Sequence, residues 1–282
     1  MTISFTNIGF IGAGNMAQAI GLRLVSEGVI NPSNMIVSAR SDRNLTVWSQ
    51  KGVKTTTKNS DVVKKADVIF IAVKPQFFEE AMQSLAGEWK FDFRIFISVM
   101  AGKTIDYIKK TIKTIAYDSI SDFDVIRVMP NTPCLVGKGC SVLCHGPTIN
   151  EKYVLEIQRL MSYTGTCDII PESLFDAVSA VSGSGPAYIY LVIESLADGA
   201  VRCGVPRDLA MKLASQTVSG AAEMVTKTGK HPGQLKDEVC SPAGTTIAAV
   251  HELEKTGIRC AFMNAVKAAA ERSAELAKIS KQ

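Results

Sequence analysis

Residues 7–20 read NIGFIGAGNMAQAI, and this stretch limits what the chain can fold into more than any other. Residues 7–11 form a short apolar run, Gly12-x-Gly14-x-x-Ala17 follows at once, and residues 16–27 repeat apolar side chains at helical spacing. A strand that passes through two glycines straight into a helix must reverse within a few residues. Gly12 permits the tight turn. Gly14 puts no Cβ between the backbone and an approaching ligand, and Ala17 is small enough for the helix to lie close on the sheet. The first-turn amides of such a helix lack intrahelical acceptors and point at one spot, where a pyrophosphate fits. A plain strand–helix turn is the alternative. The matching strand before and helix after favour a bound dinucleotide.

Beyond this turn, short β-branched runs alternate with helical stretches. Strands are expected at 7–11, 35–38, 68–73, 94–99 and 125–129, with helices such as 16–27 and 77–85 between them. Such alternation implies a mostly parallel sheet covered on both faces. Runs at 139–144 and 166–170, flanking a helix at 151–163, extend that sheet. After Pro171 strand signals stop. Helical runs follow at 172–181, 186–203, 206–228, 233–239, 246–255 and 259–279, separated by Gly and Pro. The expected fold is therefore α/β: a doubly wound Rossmann sheet over residues 1–170, followed by an all-α dimerisation domain over residues 171–282. The run 186–203 is apolar around most of its circumference, broken by Glu194, Asp198 and Arg202. A helix of that kind needs cover on several sides, and a second subunit is expected to supply it.

Composition narrows the function classes. A net charge of +4 with no concentrated basic stripe gives no case for nucleic acid. No apolar run is long enough to span a bilayer, so no membrane partner is expected. The N-terminus lacks a basic leader segment, and cytoplasmic placement is expected, with a mitochondrial one still open. The seven cysteines are odd in number and lack CxxC spacing, which points away from disulfides and from a metal site. Cys144 beside His145 lacks two further ligands at suitable spacing.

The end of the second strand selects the dinucleotide. NAD sites place an acidic residue there for the ribose 2′-hydroxyl. This chain has Ser38, Ala39 and Arg40, and Asp42 is expected to start the next helix. Arg40 with a nearby serine suits a 2′-phosphate, so NADPH is the expected cofactor and NADH the alternative.

Several landmarks occur in order: GFIGAGNMA, VKPQ (73–76), VMPNTP (128–133), SGSGPAY (182–188), HPGQLKDEV (231–239) and SPAGTTIAAV (241–250). With these, nearly the whole chain resembles the pyrroline-5-carboxylate reductases. The resemblance implies reduction of Δ1-pyrroline-5-carboxylate to L-proline by NAD(P)H, the last step of proline biosynthesis. It implies a homodimer through the helical domain, with dimers assembling into a decamer. Cofactor contacts would fall on Gly12, Ala13, Gly14, Asn15 and Met16, on Ser38 and Arg40, and on Asn59, Val73, Lys74 and Ala101. Asn59 would read equally as a helix cap, Lys74 as a surface lysine, and Asn131, expected near the nicotinamide and substrate, as a turn residue.

A carboxylate-bearing cyclic imine needs a hydride donor, an acid-group anchor and a proton for its nitrogen. The turn SPAGTT leads into a helix N-terminus, where amides and the helix dipole favour an anion. Ser241 adds a hydroxyl, and the amides of Gly244, Thr245 and Thr246 complete a cradle. By resemblance Thr246 is the catalytic hydroxyl facing the ring nitrogen. An ordinary cap, with Ser241 at N-cap and Pro242 in the first turn, fits the same residues. Many relatives have Gly where this chain has Ala243. A β-hydroxyacid dehydrogenase-like enzyme would use a second-domain lysine ahead of an asparagine, but Asn264 precedes Lys267 here. A non-catalytic NADP sensor would have no use for a proton donor.

Overall fold

The computed structural model describes residues 5–87, 93–116 and 123–279 of the 282. The chain divides into two compact units. One comprises Met1–Ser184 and Ala268–Gln282, and the other comprises Gly185–Lys267.

The first unit is built on eight strands: β1 (Ile8–Ile11), β2 (Met35–Ser38), β3 (Lys54–Thr56), β4 (Val68–Ile71), β5 (Arg94–Ser98), β6 (Phe123–Met129), β7 (Gly139–His145) and β8 (Gly165–Ile169). Their order is β3-β2-β1-β4-β5-β6-β7-β8. Neighbours run parallel except at β6–β7, where Met129 pairs Val142 in an antiparallel register. The order reverses between β1 and β4, the point at which doubly wound sheets open a ligand crevice.

Both faces are covered, which is why the central strands read as continuous apolar runs rather than alternating ones. One core joins Phe10, Val37, Phe70 and Ile97 to α1 (Asn15–Ser26), α2 (Thr46–Ser49) and α6 (Glu151–Ser162), through residues such as Ile20, Trp48 and Leu160. The other joins Ile11, Ile69, Ile71 and Phe96 to α3 (Asn59–Lys65), α4 (Phe78–Gln83), α5 (Ile105–Ala116) and α7 (Phe175–Ser182), through Val62, Met82, Ile108 and Phe175.

Two differences from the sequence reading have physical causes. Strand β3 was not expected. Its sequence, KTT, is short and polar and pairs only β2 at the sheet edge, where no apolar pattern is needed. The break between units falls after Ser184 instead of Pro171, because Phe175 is buried in the second sheet core and holds α7 to the sheet.

The second unit carries α8 (Gly185–Arg202), α9 (Arg207–Thr228), α10 (Pro232–Val239) and α11 (Thr245–Lys255), and the start of α12 (Ile258–Ile279). Its own buried cluster is small: Ala197, Ala210 and Ala214, with four partly buried neighbours. Meanwhile Tyr190 and Leu191 on α8 are 58% and 63% exposed, and Met224 and Met263 are exposed as well. A surface of that kind marks an interface with another chain. No helix among the described residues is long and apolar enough to cross a membrane.

Candidate functional site

The turn between β1 and α1 has the geometry that its glycines were expected to permit. Gly12 sits at φ +106, in backbone space that favours glycine, and a Cβ there would lie 2.6 Å from the carbonyl oxygen of Ala72 at the end of β4. Gly14 is the N-cap of α1, with no side-chain cap, and a Cβ built on it meets nothing within 4 Å. Its face is therefore open toward a ligand. The Gln18 amide donates to Ala13 O at 2.9 Å and steadies the loop from inside. Asn15 and Met16 follow in the first helical turn, where backbone N–H groups lack helical acceptors.

A cleft of about 970 Å³ opens from this turn. It brings together Gly12, Ala13, Gly14, Ser38, Arg40, Asn59, Val73 and Lys74, eight of the positions expected to touch the cofactor. Arg40 stands at the end of β2 with its guanidinium 4.2 Å from the Phe77 ring centroid. Its ion pair with Glu80 is long, 3.6 Å, and both side chains are largely exposed, so its charge is little compensated. As expected, Asp42 starts the next helical segment, a 3-10 turn at Asp42–Asn44.

Two of these side chains are also engaged within the protein. Ser38 is fully buried and its hydroxyl donates to Asn59 Oδ1 at 2.6 Å. The Asn59 amide nitrogen donates in turn to Ser84 Oγ at 2.9 Å and to Ala81 O at 3.3 Å. Asn59 is not the helix cap: Lys58 holds that position in α3, without a side-chain cap. These two side chains tie the end of β2 to α3 and α4 and give the cleft its floor. Ser41, next to Arg40, lines the cleft as well, with Arg43 and Lys58. The sequence reading missed all three, although they lie within three residues of Arg40 or Asn59.

Met16 and Ala101 line a second cleft of about 440 Å³, at the carboxyl ends of β5 and β6, together with Asn131. Asn131 is buried and both ends of its amide are engaged. Its nitrogen donates to Ser182 O at 2.9 Å and its oxygen accepts from Cys140 N at 3.0 Å. It fastens the end of α7 to β7 as it lines the cleft.

The turn before α11 departs from the capping alternative. Gly244, not Ser241, is the N-cap, and no side chain caps the helix. Gly244 N donates to Ser241 O at 3.0 Å, which closes a turn with Pro242 second and Ala243 third. Ala243 lies at φ +56, the one non-glycine residue with positive φ among those described. Proline second with positive φ third is the pattern of a type II turn, where glycine is usual at the third position. The alanine costs about 1 kcal/mol of backbone strain. The Ser241 hydroxyl lies 2.3 Å from where a Cβ on Gly244 would be, so a side chain there would have to push that hydroxyl aside. One expectation is corrected: the Gly244 amide is spent within the turn. The amides left for an anion are those at the start of α11, Thr245 and Thr246, since the helical ladder begins with Ala248 N to Gly244 O.

Titratable groups elsewhere look structural. Arg127, buried in β6, donates to Glu172 Oε1 at 2.7 Å, and the same oxygen accepts from Ile105 N at 2.9 Å. Burial pushes the thiols of Cys144 and Cys167 up to about 12, so neither is a ready nucleophile or metal ligand. All seven cysteines are unpaired, and no cluster of three or more metal-ligating side chains occurs among the described residues.

Comparison with known proteins agrees across the chain. A family model described as pyrroline-5-carboxylate reductase dimerisation matches residues 172–276, and one described as NADP oxidoreductase coenzyme F420-dependent matches residues 7–102. A pyrroline-5-carboxylate reductase from Arabidopsis thaliana is 46% identical over 95% of this chain and 95% of its own length. One from Methanosarcina acetivorans is 41% identical over 96% of this chain and 98% of its own. The crystal structure of Plasmodium falciparum pyrroline carboxylate reductase with NADP bound matches with a TM-score of 0.85 and 30% identity, covering 98% of this chain and 100% of that one.

Proposed function

The chain belongs to the pyrroline-5-carboxylate reductase family, and on that premise we propose how its own residues carry the reaction. The protein is an NADP-dependent oxidoreductase that reduces Δ1-pyrroline-5-carboxylate to proline, the last step of proline biosynthesis. It is oligomeric through its helical region.

The larger cleft fits the dinucleotide. Its glycine turn leaves Gly14 open, and the end of β2 contributes Arg40 and Arg43 to the lining and no acidic residue, with Glu80 of α4 only loosely paired to Arg40. The first-turn amides of α1 hold the pyrophosphate. Arg40, Ser41, Arg43 and Lys58 hold the 2′-phosphate, which makes NADPH the preferred donor and NADH the alternative. When bound, the dinucleotide supplies the hydride that reduces the C=N bond.

The Ser241–Thr246 turn holds the substrate's acid group. The Thr245 and Thr246 amides donate to the carboxylate, aided by the helix dipole and by the Ser241 hydroxyl. The Thr246 hydroxyl hydrogen-bonds the ring nitrogen and orients it. A threonine is a weak acid, so its contribution is alignment of an imine that arrives protonated, not delivery of the proton. The observation that carries this reading is the uncapped N-terminus of α11, kept open by a strained turn at Ala243. Following NADPH absorbance with pyrroline-5-carboxylate tests it. Thr246→Ala should lower kcat roughly 10- to 100-fold while the Kd for NADPH stays within about twofold. Unchanged turnover removes Thr246 from the reaction.

Two further readings accompany this one. By family resemblance the dimers assemble into a decamer, which sedimentation equilibrium tests. A cytoplasmic location, with a mitochondrial one as the alternative, is tested by fractionation.

A further inference from the structure

The second cleft has a wall that neither the glycine turn nor the strand ends supply. It comes from the last turns of α12, residues 268–279, which belong to the sheet-bearing unit. Ala269, Ser273 and Leu276 recur at i, i+4 and i+7, so they share one helix face, and that face lines the cleft beside Met16, Ala101 and Asn131.

Two fastenings hold this face. The Ser273 hydroxyl donates to Asp176 Oδ1 at 2.7 Å, which joins α12 to the first turn of α7 across 97 residues of sequence. Leu276 packs on the loop after β5 so closely that a Cβ on Gly102, at φ +68, would lie 3.0 Å from the Leu276 Cβ. The far end of α7 is held by the bond from Asn131 to Ser182 O. The helix α7, which itself lines the cleft with Ser179 and Ala180, is thus tied at one end to α12 and at the other to the loop after β6.

We propose that Ser273 is a positioning residue for the reduction: through its bond to Asp176 it holds the Ala269–Ser273–Leu276 face as the wall that sizes the nicotinamide end of the cleft for a small imine ring. The phosphate-binding residues lie in the other cleft, so loosening this wall leaves dinucleotide affinity in place and removes alignment at the reacting carbon. Small misplacements there are expensive in rate. Arg272, next to Ser273, is paired with Glu275 at 2.8 Å, and its charge is not needed for this role.

The proposal rests on reading this cleft as the reaction end, and wild-type turnover of pyrroline-5-carboxylate is the control that separates the two. Failure of the wild type overturns the functional reading. The latch is tested by Ser273→Ala, Ser273→Thr and Asp176→Ala in the full-length oligomer. The measurements are kcat and KM for the imine, the Kd for NADPH, and elution volume. Ser273→Ala and Asp176→Ala are expected to lower kcat/KM for the imine about tenfold, and the double variant about as much as either single one. NADPH affinity and assembly should be unchanged, and Ser273→Thr should restore activity. The proposal is overturned if Ser273→Ala keeps kcat/KM within twofold of the wild type. It is overturned equally if NADPH binding or assembly falls together with activity, or if threonine does not rescue. Should Ser273→Ala not fold, Asp176→Ala is read by the same criteria.

Discussion

The two compact units solve the burial problem in opposite ways. The sheet-bearing unit encloses two extensive cores of its own, one on each face of eight strands. The helical unit encloses three alanines and presents Tyr190, Leu191, Met224 and Met263 at its surface. One is a self-sufficient ligand scaffold. The other is half of a structure that another chain completes. The same contrast runs through the chemistry. In the sheet unit the amides proposed to bind follow a glycine turn whose backbone is open at Gly14. In the helical unit they follow a turn that keeps an alanine in left-handed space.

The contrast breaks most visibly at the apolar helix α8. Leu191→Asp should put an unpaired charge into the subunit interface at a cost of roughly 3 kcal/mol or more, enough to dissociate the oligomer in size-exclusion chromatography. Val47→Asp, at a 40% exposed position on α2 of the sheet unit, should leave the elution volume unchanged. Dissociation by both, or by neither, would erase the distinction.

Within the sheet unit, Arg40→Ala should lower the preference for NADPH over NADH about 10- to 100-fold, mainly through weaker NADPH binding. An unchanged ratio of the two dissociation constants would return Arg40 to the solvent.

A smaller effect is expected from the network beneath α4 and α5. Glu79 accepts from Lys103 Nζ at 3.0 Å and from the Tyr107 hydroxyl. Burial pushes its carboxyl up, but the hydrogen bonds from Tyr107 and Lys103 outweigh this and hold it below the ordinary value. A depressed carboxyl stabilises the fold above its unfolded pKa of about 4.3, and the contribution fades as pH falls through the folded value. The Tm of wild type should therefore exceed that of Glu79→Gln at pH 7, and the gap should close as pH drops below about 4. A gap that persists in acid contradicts the assignment. The smallest effect concerns thiols. Cys140, Cys203 and Cys260 are exposed and should label with a maleimide, whereas Cys144 and Cys167 should not until the protein unfolds.

How much was legible in the sequence follows the same division. The central strands carry their burial in their own residues, since IGFI and VIFI are buried at every position. Strand β3 was not legible, because an exposed edge makes no demand on its side chains. The helix α5 could have been read from Ile105, Ile108 and Ile112, which repeat on one face, but it lies between louder glycine and strand signals. Arg40 was legible as a cation at the end of β2, yet the hydrogen bonding of Ser38 and Asn59 depends on an α3–α4 contact across more than twenty residues. The turn at Ser241 was legible as a turn leading into a helix, while its hydrogen bonding was not. The ordinary-cap alternative puts Pro242 in the first helical turn, whereas it occupies the second position of a separate turn that moves the N-cap to Gly244. The return of residues 268–279 to the sheet unit left no trace, because α12 is continuous and carries no glycine or proline where the units divide.

The central claim is that a bare helix N-terminus, not a charged side chain, grips the substrate's acid group. The most direct measurement is a crystal structure of the oligomer with NADP⁺ and L-proline. The account predicts the proline carboxylate within hydrogen-bond distance of the Thr245 and Thr246 amides, with its ring nitrogen at the Thr246 hydroxyl. A carboxylate held by a lysine or arginine side chain, with the 241–246 turn left to water, would contradict it.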